Sequence, residues 1–158
     1  MKYAIPLIIL ILLFAVSCKK KNNLSKIPQI SFLEMLPDSI KAGSSADTLF
    51  IYFDFKDGDA DLGNKDPNGK DYDIYFNDKR FDSGYQGYFF PSIDPGIEDA
   101  SLGISGTGVF KMLAANIAPR GDSIHKNFGD TTYYEIYIKD RAGNMSNHIT
   151  TPLVYIRP

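Results

Sequence analysis

Apolar residues fall at every second position over most of this chain, and a period of two predicts strands. The pattern is clearest over 48–56, Thr-Leu-Phe-Ile-Tyr-Phe-Asp-Phe-Lys, where Leu49, Ile51, Phe53 and Phe55 share one face. It recurs over 131–139, with Tyr134, Ile136 and Ile138 on the inner face. Alternating or β-rich runs over 29–35, 71–76, 85–93, 106–115 and 149–156 supply five more strands. Turn formers punctuate them, among them Pro37-Asp38-Ser39, Ala42-Gly43-Ser44-Ser45 and Asn77-Asp78. Only Met112-Leu113-Ala114-Ala115 hints at helix, and it is too short to change the class. About seven strands without a long helix predict an all-β chain folded as an antiparallel β-sandwich.

The alternation fails at the N-terminus, where 4–16 is almost continuously apolar behind the single charge of Lys2. Such a run matches the hydrophobic region of a signal peptide and is too short to span a bilayer. It ends in Ala15-Val16-Ser17-Cys18, which resembles the lipobox of bacterial lipoproteins, although that family more often carries Leu where Ala15 stands. The resemblance implies cleavage before Cys18 and lipidation of Cys18. The alternative is an ordinary secretory peptide with an incidental cysteine. Cys18 is the only cysteine, so an intramolecular disulfide is impossible. Acyl chains, at about 0.8 kcal/mol per buried CH₂, would hold the chain to a membrane without a spanning helix. The expected organisation is a signal peptide over 1–17, a lipidated tether over 18–28 and a folded domain over 29–158.

Charge divides along the same line. Lys19, Lys20, Lys21 and Lys26 make the tether basic, while 29–158 holds twelve basic and nineteen acidic residues, about −7. A basic collar suits an acidic lipid surface, and an acidic domain excludes nucleic acid as a partner. Lipoproteins sent to the cell surface in some lineages carry acidic residues after the lipidated cysteine. Lysines stand there in this chain, so the expected address is the outer membrane, facing the periplasm.

The strand over 48–56 runs into Asp54-Phe55-Lys56-Asp57-Gly58-Asp59-Ala60-Asp61-Leu62-Gly63, with four carboxylates in eight residues. Such crowding is unfavourable unless water screens it or a cation sits within it. Clustered hard oxygen donors suit calcium, which takes six to eight at roughly 2.3–2.6 Å. Asp54, Asp57, Asp59 and Asp61 are therefore candidate calcium ligands; a solvated acidic turn is the alternative. The stretch is not an EF-hand. Counting Asp57 as position one puts Leu62 where glycine is required and Asn68 where a bidentate glutamate belongs.

Near the other end, Asp140-Arg141-Ala142-Gly143-Asn144-Met145-Ser146 follows a strand and precedes the last one. This resembles the final two strands of bacterial immunoglobulin-like domains, where Asp-x-x-Gly-Asn-x-Ser is common. With the acidic loop, the chain is similar to uncharacterised immunoglobulin-like lipoproteins of bacterial envelopes, which implies an immunoglobulin-like antiparallel β-sandwich and an address but no activity. In such a sandwich the B–C and F–G loops cluster at one end. Asp140 and Asn144 would then join the aspartates of the acidic loop, unless both serve only a hairpin turn. The first strand must run opposite to the second, so the tether is expected to enter beside the same loops.

Other chemistry is sparse. Gly121-Asp122-Ser123-Ile124 is similar to the Gly-Asp-Ser-Leu block of a hydrolase family, but that block opens its domain and has a late Asp-x-x-His, where this chain has Met145 three before His148. His125 and His148 have no second ligand at metal spacing. Tyr85, Tyr88 and Phe90 read as core packing, or as a row for a glycan. The expected function is a non-catalytic, lipid-anchored accessory or binding module with a calcium-stabilised loop end. An envelope protein or glycan is its expected partner. A glycan-binding module on exposed aromatics and a hydrolase with a dispersed site are the alternatives.

Overall fold

A computed structural model describes residues 23–63, 71–91, 93 and 101–158. The segment with Cys18 and Lys19 to Lys21, and with it the expected signal peptide and lipidation, lies outside the described residues, as does Asn68. Two facing layers contain β1 (Gln29–Leu36), β2 (Ser39–Lys41), β3 (Thr48–Asp57), β4 (Ile74–Asp78), β5 (Gln86–Tyr88), β6 (Ile104–Leu113), β7 (Asp130–Thr132), β8 (Tyr134–Ile138), β9 (Ile149–Thr150) and β10 (Val154–Arg157). One sheet has the order β1-β3-β6; opposite it lie β5-β4-β8-β9 and the short sheet β2-β10-β7. First, second and fifth long strands thus face third, sixth and last, the partition of an immunoglobulin-like sandwich. Aromatic contacts join the layers: Phe76 stacks on Phe110 at 4.9 Å, and Phe55 meets Phe90 edge-on at 5.2 Å.

The core follows from the alternation. Leu49, Ile51, Phe53 and Phe55 are buried, and so are Tyr134, Ile136 and Ile138. Phe53 and Phe55 find room because β6 places Gly108 and Gly106 beneath their rings, where a Cβ would stand 2.6 and 3.0 Å from ring carbons. Among the described residues, the buried core runs from Ile30 to Ile156.

The strand inventory differs from the pattern-based one in instructive ways. Between β1 and β3 the chain does not simply turn; it crosses to the other layer, where β2 pairs with β10 in parallel, the one parallel pairing among the described residues. The last strand breaks at Pro152, which has no N–H to donate. The strand expected over 85–93 shortens to β5; the chain from Tyr85 on splits between the core, which takes Phe90, and the surface, which keeps Phe89. A helix also appears, α1 (Ser123–Phe128), after the short 3₁₀ turn Ala114–Asn116. Asp122 caps it by accepting from the Ile124 and His125 N–H groups, so the Gly-Asp-Ser stretch is a helix start. Among the described residues, no helix is long and apolar enough to cross a membrane.

Candidate metal centre

Strand β3 extends through Asp57, and this fixes the site. Counting in twos from Leu49 places Asp57 on the core face, fully buried below Phe55. The chain then turns at Gly58 and at Ala60, a non-glycine residue at φ 57°. Ala60 and Leu62 are buried, and this holds Asp59 and Asp61 on the intervening positions. The Asp61 N–H donates to Asp57 Oδ2 at 2.9 Å, closing the turn on the first carboxylate.

The loop after β8 closes against this turn. Arg141 N–H donates to the Asp61 carbonyl at 3.1 Å, and Ala142 N–H to Asp61 Oδ2 at 3.1 Å. The Arg141 guanidinium donates to the carbonyls of Leu62 and Gly63. Asp140 is buried at the base, its carboxylate held by the Asn144 N–H at 2.7 Å and the Asn144 side-chain amide at 2.8 Å. The two loops expected to cluster do so.

Asp57, Asp59, Asp61 and Asp140 each present one carboxylate oxygen, and no two of these lie more than 4.8 Å apart. Oxygens on opposite sides of an ion with 2.3–2.6 Å bonds stand about 5 Å apart, so calcium matches this spread, with water completing its shell. Asp57 Oδ1, Asp59 Oδ1 and Asp61 Oδ1 are buried without a hydrogen-bond partner. Unpaired buried carboxylate oxygens are costly. Burial, reinforced by the charges of Asp61 and Asp59, raises the Asp57 carboxyl from 3.8 to about 7. Burial and the Asp140 and Asp59 charges raise Asp61 as well, against the Ala142 N–H and Arg141. A divalent cation would compensate all of these groups.

The remaining candidates divide. Asp54 lies three residues from Asp57 on a strand of period two, hence on the opposite face, where it accepts from Thr107 Oγ1 at 2.7 Å. It does not belong to the group. Asn144 positions Asp140 through the two bonds above. The stem meets the loop where the direction of the first strand expects it: the Ser25 carbonyl accepts from the Gly58 N–H at 2.7 Å, and Lys26 Nζ lies 3.7 Å from Asp59 Oδ2. A Cβ on Gly58 would stand 2.5 Å from the Leu24 carbonyl oxygen, so only glycine admits the stem here. The chain therefore enters the domain against the acidic loop, as the antiparallel order of the first two long strands requires.

Residues weighed for other chemistry sit apart from this centre. His125 Nδ1 faces Asp122 Oδ2 at 2.5 Å and its Nε2 faces Arg120 at 2.8 Å, not Ser123. A cavity of about 560 Å³ between β6 and β4–β5 is lined by Phe76, Arg80, Tyr88, Phe110 and Tyr134, and by neither Ser123 nor His125. Tyr88 turns inward to Phe76 and Phe110, Phe90 is buried, and Tyr85 packs edge-on against Tyr137. Those three do not form a flat row. Comparison of the chain with protein-family models, with curated proteins and with solved structures finds no match to any of them.

Proposed function

We propose that this protein is a lipid-anchored component of a bacterial cell envelope, a non-catalytic accessory or binding module whose acidic end takes up calcium. The apolar leader ending in Ala15-Val16-Ser17-Cys18 supports the anchor, and the lysines at 19–21 support an outer-membrane address facing the periplasm. The observation that carries the metal is Asp57: fully buried, Oδ1 unpaired, and grouped with three more carboxylates within the span of a calcium shell. The bound ion would join two segments, the turn after β3 and the loop after β8, and would stiffen the turn on which the stem docks through the Ser25 carbonyl and the Gly58 N–H. Its role is mechanical, to fix the domain on its tether at the membrane-proximal end. Lys26 would give up its weak, exposed pairing with Asp59 when calcium binds.

Melting the protein with calcium and with chelator tests the site. A ligand that binds only the native state adds about 2.7 kcal/mol at a hundred times its Kd, a shift of several degrees. Asp59→Ala combined with Asp61→Ala should abolish the shift; an unmoved wild-type midpoint would reduce the loop to a solvated turn. The anchor has its own test. Cys18→Ala should leave unprocessed precursor and lose labelling by a fatty-acid analogue, and retained labelling would refute lipidation.

A further inference from the structure

We infer that β6 is the pairing edge of a symmetric dimer, formed by a second copy of this chain that extends the β1-β3-β6 sheet through an antiparallel β6–β6 junction. A free edge strand offers a row of unpaired N–H and C=O groups, and soluble proteins shield such rows by shortness, bulges, charge or cover. The other edges here are shielded. β5 has three residues and β9 two. β1 is bulged between Phe32 and Glu34, and its edge is capped by Asn147, which accepts from the Ile30 N–H at 2.9 Å and donates to the Ile30 carbonyl at 2.8 Å. β6 has none of these features. It pairs with β3 over all ten residues without a register shift, and among the described residues no strand lies on its other side. It contains no proline and one charge, Lys111. Its outward residues Val109 and Leu113 are 42% and 52% exposed.

The strand is complementary to itself in one register, with the two-fold axis at Val109. Val109 then meets its own copy, replacing two exposed apolar side chains with one contact. Lys111 falls opposite Thr107 of the second copy, and Thr107 already bonds Asp54 on the next strand. The lysine ammonium can cross the two strand spacings of about 4.8 Å to reach that carboxylate, once on each side of the axis. On the inner face, Phe110 and Met112 fall opposite Gly108 and Gly106, so large residues meet small ones. Paired strands run antiparallel, so the two acidic loop ends lie at opposite ends of the dimer.

In the full chain with its sole cysteine replaced, Cys18→Ala, one introduced thiol reports the register. Val109→Cys should oxidise readily to a disulfide-linked dimer, because directly opposed Cα atoms at about 4.5–5.5 Å suit a disulfide. Ser105→Cys, opposite Leu113 rather than itself, should not cross-link. Val109→Lys should give a monomer in sedimentation equilibrium, with its far-UV spectrum unchanged. A wild-type domain that stays monomeric at high micromolar concentration overturns the inference. So does a dimer that survives Val109→Lys, since it would use another surface, and so does cross-linking of Ser105→Cys equal to that of Val109→Cys.

Discussion

Strand β8 separates two groups of buried carboxylates, and they are compensated in opposite ways. At its beginning Asp130 is fully buried yet saturated. Its Oδ1 accepts from Arg120 and the Thr131 N–H at 2.8 Å each, and its Oδ2 from the Arg120 N–H at 2.9 Å and from Arg80 at 3.4 Å. Asp78 beside it is bound by Arg80 and by Thr132 Oγ1 at 2.7 Å. Burial alone would raise both carboxyls, but the Arg120 bonds at Asp130 and the Arg80 and Thr132 bonds at Asp78 prevail, and both are held below the usual carboxylate range. At the far end of β8, Asp57 and Asp61 are raised instead, by burial first and then by the neighbouring carboxylates. The first end carries its cations in the chain. The second gathers further carboxylates around Asp57 instead.

The largest effect should come from removing a built-in cation. Arg80→Met strands Asp78 and weakens the support of buried Asp130; breaking such a pair typically costs about 3–5 kcal/mol, to be read from denaturant unfolding with no calcium dependence. A loss below 1 kcal/mol would erase the contrast between the two ends.

The acidic end should answer to pH in the opposite sense. Asp57 is raised on folding, so without calcium its contribution is fully present below about pH 4 and is lost as pH rises through about 7. A shift from 3.8 to about 7 corresponds to about 4 kcal/mol at most. Asp78 and Asp130 are lowered on folding, so their stabilisation is present above about pH 4 and is lost as pH falls below it. The chelated domain should therefore be most stable at mildly acidic pH, and calcium should move that optimum toward neutrality. Asp57→Asn should raise the chelated domain's stability at pH 7 by about 2 kcal/mol and remove its calcium response together. A flat profile from pH 4 to 7 in chelator would show that Asp57 is not desolvated.

The smallest effect sharpens the boundary of the site. Asp54→Ala removes one partly exposed bond to Thr107 and should cost about 0.5 kcal/mol, with the calcium shift in melting intact. If the shift disappears, Asp54 belongs to the centre after all.

How much of this was legible follows from periodicity. The strands of 48–56 and 131–139 were readable because one face is fully buried and the other is not. The same parity would have excluded Asp54, had the strand been extended one residue past Lys56 to include Asp57. The pairing of the two loops was legible through strand order. The Arg80–Asp130–Arg120 group was not, because its members are joined by folding across 50 residues and have no spacing rule. Helix α1 was missed for a related reason: Ile124 and Phe128, spaced as a helical pair, face solvent and so mark no core stripe. The docking of the stem on Gly58 is a backbone contact, to which side-chain pattern is blind.

Ala60 and Leu62 give the acidic loop one more property. Both side chains are sunk in the core between the carboxylates they separate. Ala60, at φ 57°, holds a conformation that costs a non-glycine residue about 1 kcal/mol or more. The loop is therefore shaped by its apolar residues, with its donors already converged before any ion arrives. On the function proposed above, ion exchange at such a loop would require no refolding, and occupancy would follow the free calcium concentration continuously while the sandwich stays folded.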